Sequence, residues 1–239
     1  MALPIQNTPV YTLKIPSTKQ EVKYRPFLVK EEKALLVAQQ SDDQQVMLDT
    51  LKEILKNCIK TPIDLEEMAL FDIEYIFSQI RAKSVGEIVE IVVRCDVCPE
   101  TDEKARVKLT FDLTKLEVTF PEGHNKKIPL FDDVGIVMKY PSLDVVKEME
   151  FMDHTDAEQV FKIVVQCIDY IYDNEEVYYA KDSTKEELNQ FLENLTQEQF
   201  RKVQEFFETM PKLSKPVVYD CPVCGHHHEK VVEGLSSFF

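Results

Sequence analysis

Glycine is scarce in this chain of 239 residues: only Gly86, Gly123, Gly135, Gly225 and Gly234 occur. They lie too far apart to form a Walker phosphate loop or a GxGxxG dinucleotide turn, each of which needs several glycines within a few residues so that backbone N–H groups can close on phosphates. Nucleotide chemistry is thereby disfavoured. The sequence also lacks an HExxH helix, a GxSxG nucleophile elbow and a kinase signature set. Positive charge is in deficit, with 28 Lys plus Arg against 43 Asp plus Glu and a net charge of −15. Such a chain repels a phosphate backbone or an anionic bilayer on average, so neither nucleic acid nor a membrane is expected as a primary partner. No apolar run approaches the roughly 18 residues a helix needs to span a bilayer, and no secretory leader is recognisable. The expectation is a cytosolic site of synthesis, where the six cysteines serve as metal ligands or small buried hydrophobes rather than as disulfides.

What is present suits a folded protein. A hydrophobic fraction of 44% and a charged fraction of 30% are those of a soluble globular chain, long enough for one large or two small domains. Val10 to Ile15 and Glu21 to Tyr24 read as short strands, punctuated by Pro16 to Thr18 and ended by Pro26. A helix follows over Val29 to Gln40. Ser41 to Gln44 has the form of a capping box opening a second helix, whose stripe Met47, Leu51, Ile54, Leu55 and Cys58 places Cys58 in the core. Asp64 to Glu67 repeats the capping signal ahead of a third helix marked by Leu70, Ile73, Ile76, Phe77 and Ile80.

From Val85 the period changes to two. Val89, Ile91 and Val93 alternate with Glu90 and Val92, Val107, Leu109 and Phe111 alternate with Arg106, Lys108 and Thr110, and the two runs are expected to pair. Leu116 to Phe120, Lys126 to Leu130 and Val134 to Met138 add further strands. After Pro141 the pattern is helical again: Thr155 to Glu158 is a capping box followed by the stripe Val160, Phe161, Val164, Cys167, Ile168 and Ile171, which puts Cys167 on a buried helix face. Ser183 to Glu186 and Thr196 to Gln199 open two more helices, Pro211 and Pro216 close the helical part, and Val217 to Tyr219 with Lys230 to Val232 form a last hairpin. The fold class expected is α+β, a small mixed β-sheet region flanked by N-terminal and C-terminal helical parts. Its regions are strands and helices over 1–84, a central β region over 85–140, a helical region over 141–215 and a hairpin with tail over 216–239.

Two CxxC knuckles carry the clearest chemistry, Cys95-Asp-Val-Cys98 and Cys221-Pro-Val-Cys224-Gly225, each where one strand turns back into another. A tight turn aims two thiolates to one side at about 2.3 Å from a zinc ion, and a second knuckle completes the tetrahedron. Glycine after the second thiolate permits the wrapping turn. A usual ribbon keeps its knuckles roughly 15 to 20 residues apart, so here the tertiary fold must assemble the site. Three readings stand: one structural four-cysteine zinc, Cys221 and Cys224 with imidazoles from His226 to His228, or metal-free thiols. A thioredoxin-like role is the weakest, because that motif opens a helix. Iron suits a four-thiolate tetrahedron as well as zinc does. A closed site of this kind is structural rather than catalytic, and would pin the C-terminal hairpin to the central sheet. The histidines after the knuckle read as a solvated polar turn, and His124 and His154 as isolated. Paired carboxylates such as Glu31-Glu32 and Glu186-Glu187 sit at helix starts, where they favour the helix dipole, and no catalytic residues are expected. The terminal Phe238-Phe239 pair is a candidate for docking into a partner's groove.

Three segments add a resemblance. Tyr24-Arg-Pro-Phe-Leu-Val-Lys-Glu-Glu-Lys33, Phe71-Asp-Ile-Glu-Tyr75 continuing to Arg81-Ala-Lys-Ser84, and Val134-Gly-Ile-Val-Met-Lys-Tyr-Pro-Ser142, together with both knuckles, resemble the baseplate hub subunit and hub assembly family of T-even-like contractile-tailed bacteriophages. The likeness covers almost the whole chain. It implies a non-enzymatic protein that takes part in building the central hub of the tail baseplate, made in the host cytoplasm and located in the virion. Its partners would be other baseplate hub and tail proteins, with no small-molecule substrate. Similar proteins are either built into the particle or act transiently; the opening block also resembles tail assembly chaperones. A zinc-dependent hydrolase is disfavoured, since a three-ligand site with a nearby acid or base is missing. Arg25, Phe27, Arg81, Lys83, Lys139 and Tyr140 lie in the matching blocks and are the expected partner contacts, with a core role for Phe27 and Tyr140 as the alternative.

Overall fold

The computed structural model describes residues 7–41, 44–99, 102–150 and 157–234. In chain order they form β1 (Tyr11–Lys14), β2 (Glu21–Tyr24), α1 (Val29–Gln40), α2 (Gln44–Cys58), α3 (Leu70–Ser84), β3 (Ile88–Arg94), β4 (Arg106–Asp112), β5 (Glu117–Thr119), β6 (Lys127–Phe131) and β7 (Val134–Met138). There follow α4 (Leu143–Glu150), α5 (Ala157–Gln166), β8 (Ile168–Tyr172), β9 (Val177–Tyr179), α6 (Lys185–Glu193), α7 (Gln197–Glu208), β10 (Lys212–Asp220) and β11 (His227–Glu233). The class is α+β. The strands divide among four antiparallel sheets, ordered β1-β2, β3-β4, β11-β10-β5 and β6-β7-β8-β9.

The chain separates into two compact units, one taking Met1–Leu65, Phe71–Thr119 and Lys212–Phe239, the other Glu66–Leu70 and Phe120–Pro211. In the first unit α3 is buried nearly all round, including Asp72, Glu74, Ser78 and Gln79. Polar groups in such a position must be satisfied. Asp72 accepts hydrogen bonds from the Ser17 backbone and hydroxyl, and Gln79 Nε2 donates to the Leu113 carbonyl at 3.0 Å. The expected pairing of β3 with β4 is present in register, Val89 opposite Phe111, Ile91 opposite Leu109 and Val93 opposite Val107. Val89 and Phe111 join Leu113, Leu116, Leu213, Val217 and Tyr219 in one apolar cluster, which packs the β3–β4 hairpin against the β10–β11 hairpin. Pro216 falls inside β10 rather than ending the helical part. β5 partners only Lys212 to Ser214, so at Pro216 β10 is paired with β11 on one side only, a position where a missing N–H is tolerated.

The second unit is built on β7. Its core gathers Ile128, Ile136, Met138, Val164, Cys167, Ile168, Leu192, Val203 and Phe206. The helical stripe expected through Ile171 stops at Gln166. Cys167 N–H bonds back to the Ile163 and Val164 carbonyls and closes the helix, after which Ile168 to Tyr172 run as β8 beside β7. β-branched and aromatic residues at this density favour a pleated surface, and β7 offers them an unpaired edge. Cys167 is buried as expected, but in a turn and not on a helix. Helix starts also differ in detail. Thr196 caps α7 with Gln199 closing the box, whereas Thr184 and not Ser183 caps α6 with Glu187. Asp64 to Glu67 opens no helix, since α3 begins at Leu70 after Ala69 bridges to Ser142. Ser41 closes α1, its hydroxyl donating to the Ala38 carbonyl, while residues 42 and 43 of the second capping signal and Thr155 of the later one lie outside the described residues.

Candidate metal centre

Both knuckles belong to the first unit. Cys95 directly follows β3, and its N–H donates to the carbonyl of Ala105, the residue just before β4, at 3.1 Å. Cys221 directly follows β10. Its N–H donates to the His226 carbonyl at 2.9 Å and its own carbonyl accepts from Gly225 N–H at 2.9 Å. Gly225 holds φ at +70°, a left-handed conformation that costs any L side chain roughly 1–2 kcal/mol. That is the physical content of the glycine in the second knuckle. Tyr219 ties the hairpins together just below the thiols, its hydroxyl donating to the Arg94 carbonyl at 3.0 Å.

The four sulfurs of Cys95, Cys98, Cys221 and Cys224 all lie within 4.8 Å of one another. Each close pair joins one hairpin to the other, Cys95 to Cys224 at 3.8 Å and Cys98 to Cys221 at 3.7 Å. These are opposite edges of a tetrahedron, and an ion at about 2.3 Å from each sulfur requires edges of about 3.8 Å. The arrangement can therefore hold a metal ion, with candidate ligands 123 positions apart in the chain. Electrostatics within the cluster are uneven. Backbone N–H groups of Cys224 and Val223 aimed at the Cys221 sulfur draw its pKa down to about 7. Burial, together with the neighbouring thiols, pushes Cys98 well above the usual thiol range. Four thiols this close cannot all ionise beside one another without a cation.

The histidines after the knuckle do not share one environment. His226 and His227 are exposed, and His227 Nδ1 meets Asp220 Oδ1 at 2.6 Å. His228 is buried on β11, with Nε2 3.2 Å from Cys95 Sγ and Nδ1 3.3 Å from Asp96 Oδ1. The solvated-turn expectation therefore fails for His228. Strand alternation is the available signal: on β11 the exposed His227 and the buried His228 occupy successive positions and so point to opposite faces, while His226 lies before the strand.

The residues expected to touch partners fall in different places. Arg25 and Phe27 are buried in the first unit, where Arg25 Nη2 pairs with Glu31 Oε1 at 2.9 Å and the Phe27 N–H donates to Ser84 Oγ at 2.9 Å. Phe27 thus follows the core alternative. Arg81 is half-buried on α3, and Lys83 pairs with Glu87 at 2.5 Å. Lys139 and Tyr140 belong to the second unit. Lys139 meets Glu67 at 3.2 Å, and Tyr140 stacks on His124 and Phe206 while its hydroxyl bonds His124 Nε2 at 3.1 Å. Burial holds His124 below the usual histidine range. His154, Phe238 and Phe239 lie outside the described residues. Among the described residues no helix is long and apolar enough to cross a membrane.

Fold and site define a class, an α+β protein in which two distant knuckle hairpins are brought together at a cluster of four thiols. The family whose description is T4 bacteriophage base plate protein matches residues 8–239, and the chain belongs to that family. It is similar to the baseplate hub assembly protein gp26 of Enterobacteria phage T4, with 24% identity over 224 residues, 91% of this chain and 92% of that protein. No solved structure matches the chain.

Proposed function

We propose that this chain is a non-enzymatic component of the central hub of the phage tail baseplate that takes part in hub assembly through protein–protein contacts. The observation that carries this reading is family membership over residues 8–239, joined to similarity along 91% of the chain with a protein named for hub assembly. The chemistry agrees with it. Cys95, Cys98, Cys221 and Cys224 hold one structural zinc ion; with four thiolates bound, no position is left for water or substrate, so the ion braces two hairpins and performs no reaction. The net charge of −15 keeps the chain soluble before assembly and steers it towards basic patches on partner proteins. Lys83 and Lys139 retain 31% and 41% side-chain exposure and are the contact candidates among the residues singled out by sequence.

A second reading, a transient assembly factor absent from the mature particle, is favoured by the word assembly in the relative's name. Counting copies of the chain per purified particle, by quantitative mass spectrometry against an abundant tail protein of known stoichiometry, separates the two. A small whole number supports a resident hub component. Near absence from particles with abundance in infected-cell lysate supports the transient factor. Normal baseplates assembled without the chain would refute both. Elemental analysis of the purified chain tests the metal, with one zinc per chain expected.

A further inference from the structure

The His228 ring is fixed from several sides. It stacks on Tyr219 with ring centroids 4.7 Å apart and planes 15° apart, and the His226 ring meets it edge-on at 4.6 Å. On one side Nδ1 faces Asp96, whose other carboxylate oxygen is held by Lys230 Nζ at 3.0 Å. On the opposite side Nε2 faces the Cys95 sulfur at 3.2 Å. With 4% of His228 and 1% of Cys95 exposed, water has little access to either group.

Resting on the reading of the four thiols as a metal site, we propose that His228 is the positioning residue of that site: it donates its Nε2–H to the Cys95 thiolate and its Nδ1–H to the Asp96 carboxylate, and is not itself a ligand. A metal-bound thiolate has no proton to give, so the hydrogen across the 3.2 Å gap sits on the nitrogen. Four sulfurs at tetrahedral spacing already fill the coordination sphere of the ion. Four thiolates around a divalent ion leave two net negative charges, and a buried thiolate has lost the water that would otherwise solvate its share. The second knuckle meets this need with backbone, the Val223 N–H lying 3.4 Å from the Cys221 sulfur. The first knuckle is served by a side chain delivered from the other hairpin. Assembly of the hairpins and solvation of the Cys95 thiolate are therefore one event, and Asp96, Lys230 and Tyr219 act by holding the ring in place.

The test uses the full chain and three variants. His228→Phe keeps a ring to stack on Tyr219 but removes the donor, His228→Gln returns an N–H near the same position, and Asp96→Asn leaves the ring and loosens its support. Zinc affinity is read by competition with a chromophoric chelator, and the sulfur-to-cobalt charge-transfer band is read after cobalt replaces zinc. His228→Phe is expected to bind zinc about 10–100-fold more weakly, the usual effect of losing an outer-shell partner, and to shift the cobalt band without losing its four-thiolate intensity. His228→Gln should recover most of the affinity and the band position. Asp96→Asn, a change at an exposed side chain with the variant's folding checked by circular dichroism, should weaken zinc binding several-fold. Unchanged affinity and spectrum in His228→Phe, or in Asp96→Asn where the Phe variant does not fold, overturn the proposal. So does a wild-type cadmium-113 resonance typical of three sulfurs and one nitrogen. A wild-type chain that takes up neither zinc nor cobalt removes the metal reading itself, before any variant is compared.

Discussion

With zinc bound at the four thiols as proposed, stripping it from the intact chain should unfold the first unit at a markedly lower temperature. An ion held by the four thiols would link Cys98 to Cys221 across 123 residues, and a cross-link closing a loop of that length removes unfolded-state entropy worth about 5 kcal/mol at 25 °C. For chains of this size each kcal/mol moves the melting temperature by about 2–4 °C, giving a fall of about 10–20 °C. Calorimetry and circular dichroism of the full chain, with and without a strong chelator, read the shift, and elemental analysis verifies removal of the ion. A Cys98→Ser/Cys221→Ser double variant supplies the control: it should melt near the chelated wild type and respond no further to chelator. A chelated chain that melts within about 2 °C of the loaded one would refute the cross-link argument.

Two further perturbations isolate other features of the first unit. Arg25→Ala leaves the Glu31 carboxylate buried without its guanidinium and should cost about 3–5 kcal/mol at neutral pH. Burial raises the Glu31 pKa, but the hydrogen bonds from Arg25 and the Leu28 N–H outweigh it and hold the carboxyl below its ordinary range. The stability from this pair is therefore full above the unfolded pKa of about 4.3 and is lost as pH falls through the lower folded value. The gap between wild type and Arg25→Ala in urea midpoint should shrink below about pH 4, and a gap independent of pH would refute the assignment. Gly225→Ala should destabilise the metal-loaded chain by about 1–2 kcal/mol, because φ of +70° must be kept for the knuckle to close. An unchanged urea midpoint would mean that the turn is held by something other than this conformation.

Local signals in the sequence proved readable where the cause is local. The Thr196 capping box, α1 and the register of β3 on β4 follow from side-chain chemistry within a few residues of each element. The CxxC pairs were legible for the same reason, since each is a self-contained turn. What eluded the sequence depends on a distant neighbour. Ile168 and Ile171 continue the apolar spacing of α5, and only the open edge of β7 makes them a strand. His228 follows two exposed histidines, and only its register opposite Tyr219 turns it inward to Cys95. Arg25 lies in a family-matching block and is expected at a partner contact, but Glu31 in the first turn of α1 pairs with it in the interior of the unit.

The order of the chain adds a consequence for how the site and the rest of the protein respond to each other. The first unit needs residues from both ends of the sequence, because Val89 and Phe111 pack on Leu213, Val217 and Tyr219 and the thiols pair across the same interface. The core of the second unit draws on residues 128 to 206 and contains none of the four metal-site thiols. Losing the ion should therefore loosen β3, β4, β10 and β11 first, while β6 to β8 and α5 to α7 keep their amide protection. Hydrogen exchange read by mass spectrometry on the chelated full chain distinguishes this from general unfolding, since local opening and global unfolding expose different sets of amides. Selective loss in the two hairpins would make the metal a local brace whose removal leaves the second unit folded. Equal loss in both units would mean that their cores are energetically coupled, and that the ion stabilises far more of the chain than the two hairpins it joins.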